Sequence, residues 1–160
     1  MQKSKTVKQG LRARLEVLEA TEAIKQLKAE YCYRVDDHDW KGVTELFALS
    51  AVYVGGSLGA HKGRRAIEAF FKGLPRLLPF SVHMVHNPVI EVSGATARGR
   101  WYWTEPCTTA KGNQALWIQG RYDEEYVKER GRWRFKSMIL TFNYITPYDR
   151  GWARENRERI

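Results

Sequence analysis

Residues 79–92 read PFSVHMVHNPVIEV, and at this point the period of the apolar residues changes. Upstream they recur at steps of three and four, as in an amphipathic helix; from Ser81 onward they alternate, as in a strand. The upstream half therefore predicts helices. Leu18, Ile24, Leu27, Tyr31 and Val35 mark one over residues 15–35. Asp39 is placed to cap a short one over Trp40–Phe47. Ala66, Ile67, Phe70, Phe71 and Leu74 mark a third within Gly63–Leu74, stopped by Pro75 and Pro79. A short strand, Ala51–Gly56, falls between the last two. Downstream, Ser81–Val92 and Ala95–Glu105 read as strands joined at Ser93-Gly94. Ala115–Lys128 and Arg132–Thr146 read as a second pair joined through Glu129-Arg130-Gly131. Helices first and long antiparallel strands afterwards is an α+β order. The expected architecture is a cone-shaped, strongly curved antiparallel sheet wrapped around N-terminal helices, with a pocket inside.

The chain has 160 residues, enough for one domain that buries roughly 70% of its unfolded surface. The expectation is a single domain over 1–160, with a core at 16–148 and basic tails at 1–14 and 150–160. No apolar run approaches the ~20 residues that span a bilayer, and the N-terminus lacks the apolar stretch of a signal peptide. Two cysteines without such a signal give no reason for a disulfide, so a cytoplasmic protein with no membrane partner is expected. The net charge of +9 raises the question of nucleic acid. Nine of the 27 basic residues sit in the two tails and no nucleic-acid motif accompanies them, so no nucleic-acid partner is expected.

Polar residues on apolar faces are the candidates for chemistry. His83 and His86 point to opposite sides of a regular strand unless Asn87-Pro88 introduces a bulge. His38 and His61 fall in predicted loops and no carboxylate completes a ligand set, so no metal is expected. His83 shares a face with Val85 and Val89, where it reads either as a satisfied core histidine or as a base. On the next strand Ala97, Gly99, Trp101 and Trp103 form one row and Glu105 follows on it. Tyr31 continues the buried helical stripe, and Asp36 stands where that helix should stop. Asn143 lies between Phe142 and Tyr144. Together His83, Asp36, Tyr31 and Glu105 make an acid/base set without nucleophile, metal or cofactor. Such a set suits proton abstraction beside a carbonyl, followed by loss of water or a double-bond shift.

The stretches AIKQLKAEYCYRVDDHDWKGVTELF, GRRAIEAFF, SVHMVHNPVIEV, ATARGRWYW and GRYDEEYVKERGRWRFKSM resemble the SnoaL-like branch of the nuclear transport factor 2-like superfamily. Within it the chain is similar to the bacterial bile acid 7α-dehydratases. LTFNYITP also resembles the end of the hexachlorocyclohexane dehydrochlorinases. The resemblance implies the same cone fold. Position by position it implies a catalytic tyrosine at Tyr31, aspartate at Asp36, histidine at His83 and a second carboxylate at Glu105. A further pocket tyrosine of the dehydratases falls on Gly55, leaving Tyr53 as the nearest substitute.

The expected function is a cofactor-independent dehydratase acting on a hydroxylated, largely apolar ring substrate such as a steroid or polyketide. Trp101, Trp103, Phe70, Phe71, Tyr53 and Asn143 would line its pocket. The alternatives are a double-bond isomerase using the same base, and a non-catalytic ligand-binding module or small subunit of a ring-hydroxylating oxygenase. A homo-oligomer, dimer or trimer, is expected through an outer sheet face carrying Trp117, Val127, Met138 and Leu140. The C-terminal tail is expected to be inert or to lid the pocket through Trp152.

Overall fold

The computed structural model describes residues 2–153. Its elements are α1 (Gln2–Asp36), α2 (Trp40–Glu45), β1 (Phe47–Val54), β2 (Ala60–Lys62), α3 (Arg64–Gly73), β3 (Phe80–Ser81), β4 (Met84–Ser93), β5 (Thr96–Thr108), β6 (Ala115–Glu129) and β7 (Arg132–Pro147). The fold is α+β. One curved, unclosed sheet runs in the order β2-β1-β7-β6-β5, with β3 and β4 both pairing with β5. All pairings are antiparallel except β1 with β7. Among the described residues, no helix is long and apolar enough to cross a membrane.

The helix ends follow from local chemistry. α1 stops at Asp36 because His38 takes a left-handed conformation, φ 60°, that a right-handed helix cannot continue. The Asp39 carboxylate then accepts the Gly42 N–H at 2.9 Å and caps α2. α1 begins earlier than the expected position 15. Residues 2–14 are mostly strong helix formers, so the stretch expected as a basic tail is helical from Gln2.

α1 lays Ala20, Ile24, Leu27, Tyr31 and Val35 onto the inner face of the sheet, where they join Phe47, Phe71, Tyr122, Tyr126 and Phe135. Two bulges change which residues point inward. On β7 the buried row is Trp133 and Phe135, then Met138 and Leu140 after a register shift against β6. Met138 and Leu140, expected on the outer face, are therefore core residues, while Trp117 and Val127 are partly buried. On β4 the register shifts between His86 and Val89, with Asn87 at φ 53°. Val89 consequently leaves the face of His83 for solvent, and Ile90 and Val92 pack inward instead.

Candidate active site

The edge formed by β3 and β4 is one register interrupted at Val82-His83. Ser81 pairs with Cys107 and Met84 with Thr104, which sets His83 opposite Glu105. The Val82 N–H donates to the Pro106 carbonyl at 3.1 Å, and the next N–H, that of His83, points away from β5. It donates instead to Asp36 Oδ2 at 2.9 Å, while His83 Nδ1 lies 2.7 Å from Asp36 Oδ1. The carboxylate at the end of α1 thus holds His83 by backbone and ring together. On the other side of the ring, Nε2 stands 3.5 Å from Glu105 Oε2. His86, beyond the interruption, is exposed and lies near the Tyr102 ring.

Glu105 is itself oriented. The Trp103 indole donates to Glu105 Oε2 at 3.0 Å. That indole fits because Gly120 faces it: a Cβ there would meet Trp103 Cζ3 at 2.0 Å and the Thr141 carbonyl oxygen at 2.3 Å. Tyr31 meets His83 edge-to-face, with ring centroids 6.3 Å apart. Burial, with Tyr122 and Tyr53 beside it, pushes the Tyr31 phenol well above its ordinary value, so it is a neutral donor. Burial and Glu105 raise Tyr53 likewise, against a lowering contribution from Tyr31. Burial alone would push His83 down, but Glu105 and Asp36 together outweigh it, with Lys28 opposing them, and the imidazole is raised above its usual value. Burial raises the thiols of Cys32 and Cys107, to about 11 and about 12, out of the range of a nucleophile near neutral pH.

A second polar group lies deeper. Lys28, fully buried, has its Nζ 2.6 Å from Glu124 Oε1 and 3.2 Å from the centre of the Tyr122 ring. The other oxygen of Glu124 accepts from the Tyr126 hydroxyl, which in turn accepts from the Trp101 indole at 2.9 Å. The Tyr122 hydroxyl is buried and without a hydrogen-bond partner among the described residues. Lys28, Glu124 and Tyr122 were not singled out from the sequence, although the signal was there. Lys28 falls four residues after Ile24 and three before Tyr31, on the apolar stripe, and Glu124 alternates with Tyr122 and Tyr126.

The structure brings His83, Asp36, Glu105, Trp103 and Tyr31 together. Tyr53 and Phe71 pack beside Tyr31, and Phe70 stacks between Tyr53 and His61. Trp101 bonds to Tyr126 rather than to the cluster. Asn143 is exposed and donates to Gln119 Oε1 at 2.8 Å, so it does not line the site. Trp152 is exposed and stacks on Tyr144. Residues 154–160 of the expected tail lie outside the described residues. Grooves of about 500 and 510 Å³ lie on the solvent side of β4–β7, lined by residues such as Glu91, Arg98 and Glu125, and touch none of the cluster. Asp36 is its most open member, with a side chain 20% exposed against 7% for His83 and 8% for Glu105. Among the described residues, no group of three or more His, Cys, Asp or Glu could hold a metal ion.

Solved structures share this architecture. A scytalone dehydratase-like protein from Novosphingobium aromaticivorans DSM 12444 superposes with a TM-score of 0.76 at 23% identity, over 82% of this chain and 89% of the other. Hexachlorocyclohexane dehydrochlorinase LinA-type3 from Novosphingobium barchaimii LL02 gives 0.78 at 25% identity, over 86% and 96%. A cystatin-like protein of unknown function from Nostoc punctiforme PCC 73102 gives 0.67 at 17%, over 76% and 90%. The family model for the SnoaL-like domain matches residues 16–139, which spans the helical stripe, the interrupted edge and nearly all the paired strands. By that match the chain belongs to the SnoaL-like domain family of the nuclear transport factor 2-like superfamily.

Proposed function

We propose that the protein is a cofactor-independent lyase, a dehydratase, in which His83 is the base. Its substrate class is a hydroxylated, largely apolar ring compound such as a steroid or polyketide. The observation that carries this reading is one imidazole held between two carboxylates, with Asp36 at Nδ1 and Glu105 facing Nε2. The fold neighbours, one scytalone dehydratase-like and one a dehydrochlorinase, lend support to elimination chemistry on rings.

The geometry gives each group a task. Asp36 accepts from Nδ1, fixes the tautomer and leaves Nε2 as the atom that takes a proton from carbon. The electrons of that C–H bond form the new double bond and the C–O bond breaks. The departing hydroxyl takes that same proton from Nε2 and leaves as water, so His83 ends the cycle neutral. Between the two transfers the imidazolium lies between Asp36 and Glu105, whose Oε2 stands 3.5 Å from Nε2. Trp103 holds Glu105 in that position. Tyr31, kept neutral by burial, donates to a carbonyl oxygen of the substrate and so acidifies the neighbouring C–H.

A double-bond isomerase would use the same base and return the proton to another carbon of the substrate. A non-catalytic binding module is favoured by one observation, the near-complete burial of the His83 side chain. A panel of hydroxylated steroids and polyketides, followed by mass spectrometry, separates the three. Loss of water marks the dehydratase, an isomer of unchanged mass marks the isomerase, and binding without conversion marks the module. His83→Ala should slow the reaction roughly 100-fold or more, the usual loss for a positioned acid/base group. Equal turnover by wild type and His83→Ala refutes the assignment of the base.

A further inference from the structure

Residues 10–19 of α1 are all exposed, although the same helix buries Ala20, Ile24, Leu27, Tyr31 and Val35 farther on. This stretch has no partner in the sheet, yet it is not a polar surface. Leu11, Leu15 and Leu18 are 64%, 53% and 66% exposed. At 3.6 residues per turn these three positions fall within an arc of roughly 60°. A helical segment without tertiary packing is marginal in water, and a row of leucines on one face of it marks a contact surface. Leu11 and Leu15 also precede residue 16, where the SnoaL-like match begins, so the shared domain does not account for them.

The charge pattern identifies what covers the row. Lys3, Lys5, Lys8, Arg12 and Arg14 make the first part of the helix basic, with no acidic residue before position 16. Glu16, Glu19 and Glu22 follow, with no basic residue among residues 16–22. A second copy laid parallel would set basic on basic and acidic on acidic. A second copy laid antiparallel, centred between Leu11 and Leu18, sets Arg12 and Arg14 of each copy beside Glu16 and Glu19 of the other, with Arg12 already 3.1 Å from Glu16 of its own helix. The same register places Leu11 over the partner's Leu18 and both Leu15 residues near the middle. The pattern is self-complementary under a two-fold axis, as a closed isologous contact requires.

We propose that two copies of the chain associate through antiparallel packing of the first half of α1, with Leu11, Leu15 and Leu18 as the seam. The inference is independent of the catalytic reading.

Sedimentation of the full chain tests it against a protomer mass of 18.6 kDa. The double substitution Leu11→Glu/Leu18→Glu changes only exposed helix positions with a good helix former, so the domain stays folded. It should halve the mass of the assembly, whatever other contacts exist. Orientation is read by a spin label on Lys25→Cys, since Cys32 and Cys107 are buried. The antiparallel register sets the two labelled backbones about 30 Å apart, whereas a parallel pair would set them about 10 Å apart. Three results overturn the proposal: a wild type of 18.6 kDa at every concentration, an unchanged mass in the leucine variant, or the short label distance. If the leucine variant loses binding to anionic phospholipid vesicles with no change of mass, the row belongs to a lipid surface, which also overturns it.

Discussion

Replacing Lys28 with Met should be the most damaging single change beneath the site. The Lys28 and Glu124 side chains are both inaccessible to solvent, and the ammonium stands 2.6 Å from the carboxylate. Met fills most of the lysine stem but leaves Glu124 as a buried anion held only by the Tyr126 hydroxyl. An uncompensated buried charge costs about 3–5 kcal/mol, which for a chain of this size lowers the melting temperature by roughly 10 °C. Removing both charges, as Lys28→Met/Glu124→Leu, leaves no buried ion, so most of the stability should return. Urea unfolding of wild type, single and double variants measures both effects. If Lys28→Met stays within about 1 kcal/mol of wild type, or the double variant is no better than the single, the pair is not a closed, dry contact.

Three further outcomes follow from the geometry. Asp36→Asn removes one of the two carboxylates that raise His83, so its imidazole should titrate at lower pH by NMR, and the acid limb of activity should move with it. Because the folded value is raised, pairing of the protonated ring stabilises the fold fully below the ordinary imidazole value. That contribution fades as pH rises through the raised value, so Asp36→Asn should cost more stability in mild acid than in mild base. An unchanged titration would mean that Asp36 anchors only the His83 backbone. Tyr122→Phe deletes a buried hydroxyl that lacks a partner, and the melting temperature should hold or rise; a fall of several degrees would reveal a bond to that hydroxyl. Gly120→Ala drives a Cβ into the Trp103 ring and a backbone carbonyl and should cost about 1–3 kcal/mol, with displaced indole fluorescence. A silent Gly120→Ala would show that the Trp103 seat is loose.

The sequence by itself determined the type and order of the longer elements, though not the three-residue β2 or the first turns of α1, because burial imposes periods that survive without coordinates. The stripe Ile24, Leu27, Tyr31, Val35 and the row Ala97, Gly99, Trp101, Trp103, Glu105 are legible as faces for that reason. The Asp39 cap and the strand-joining turns were legible too, since they rest on neighbours in the chain. Only tertiary structure decided what depends on register. A bulge at Asn87 turned Val89 outward, and another on β7 turned Met138 and Leu140 inward, because one extra residue in a ladder reverses every side chain beyond it. The same is true of the site. Its candidates could be named one at a time, but the 2.7 Å and 3.5 Å approaches to His83 exist only because the sheet edge turns the His83 N–H away from β5 at the level where the end of α1 meets it. Lys28 and Glu124, 96 positions apart, are the extreme case: two charges on apolar faces are each anomalous alone and are explained only by one another.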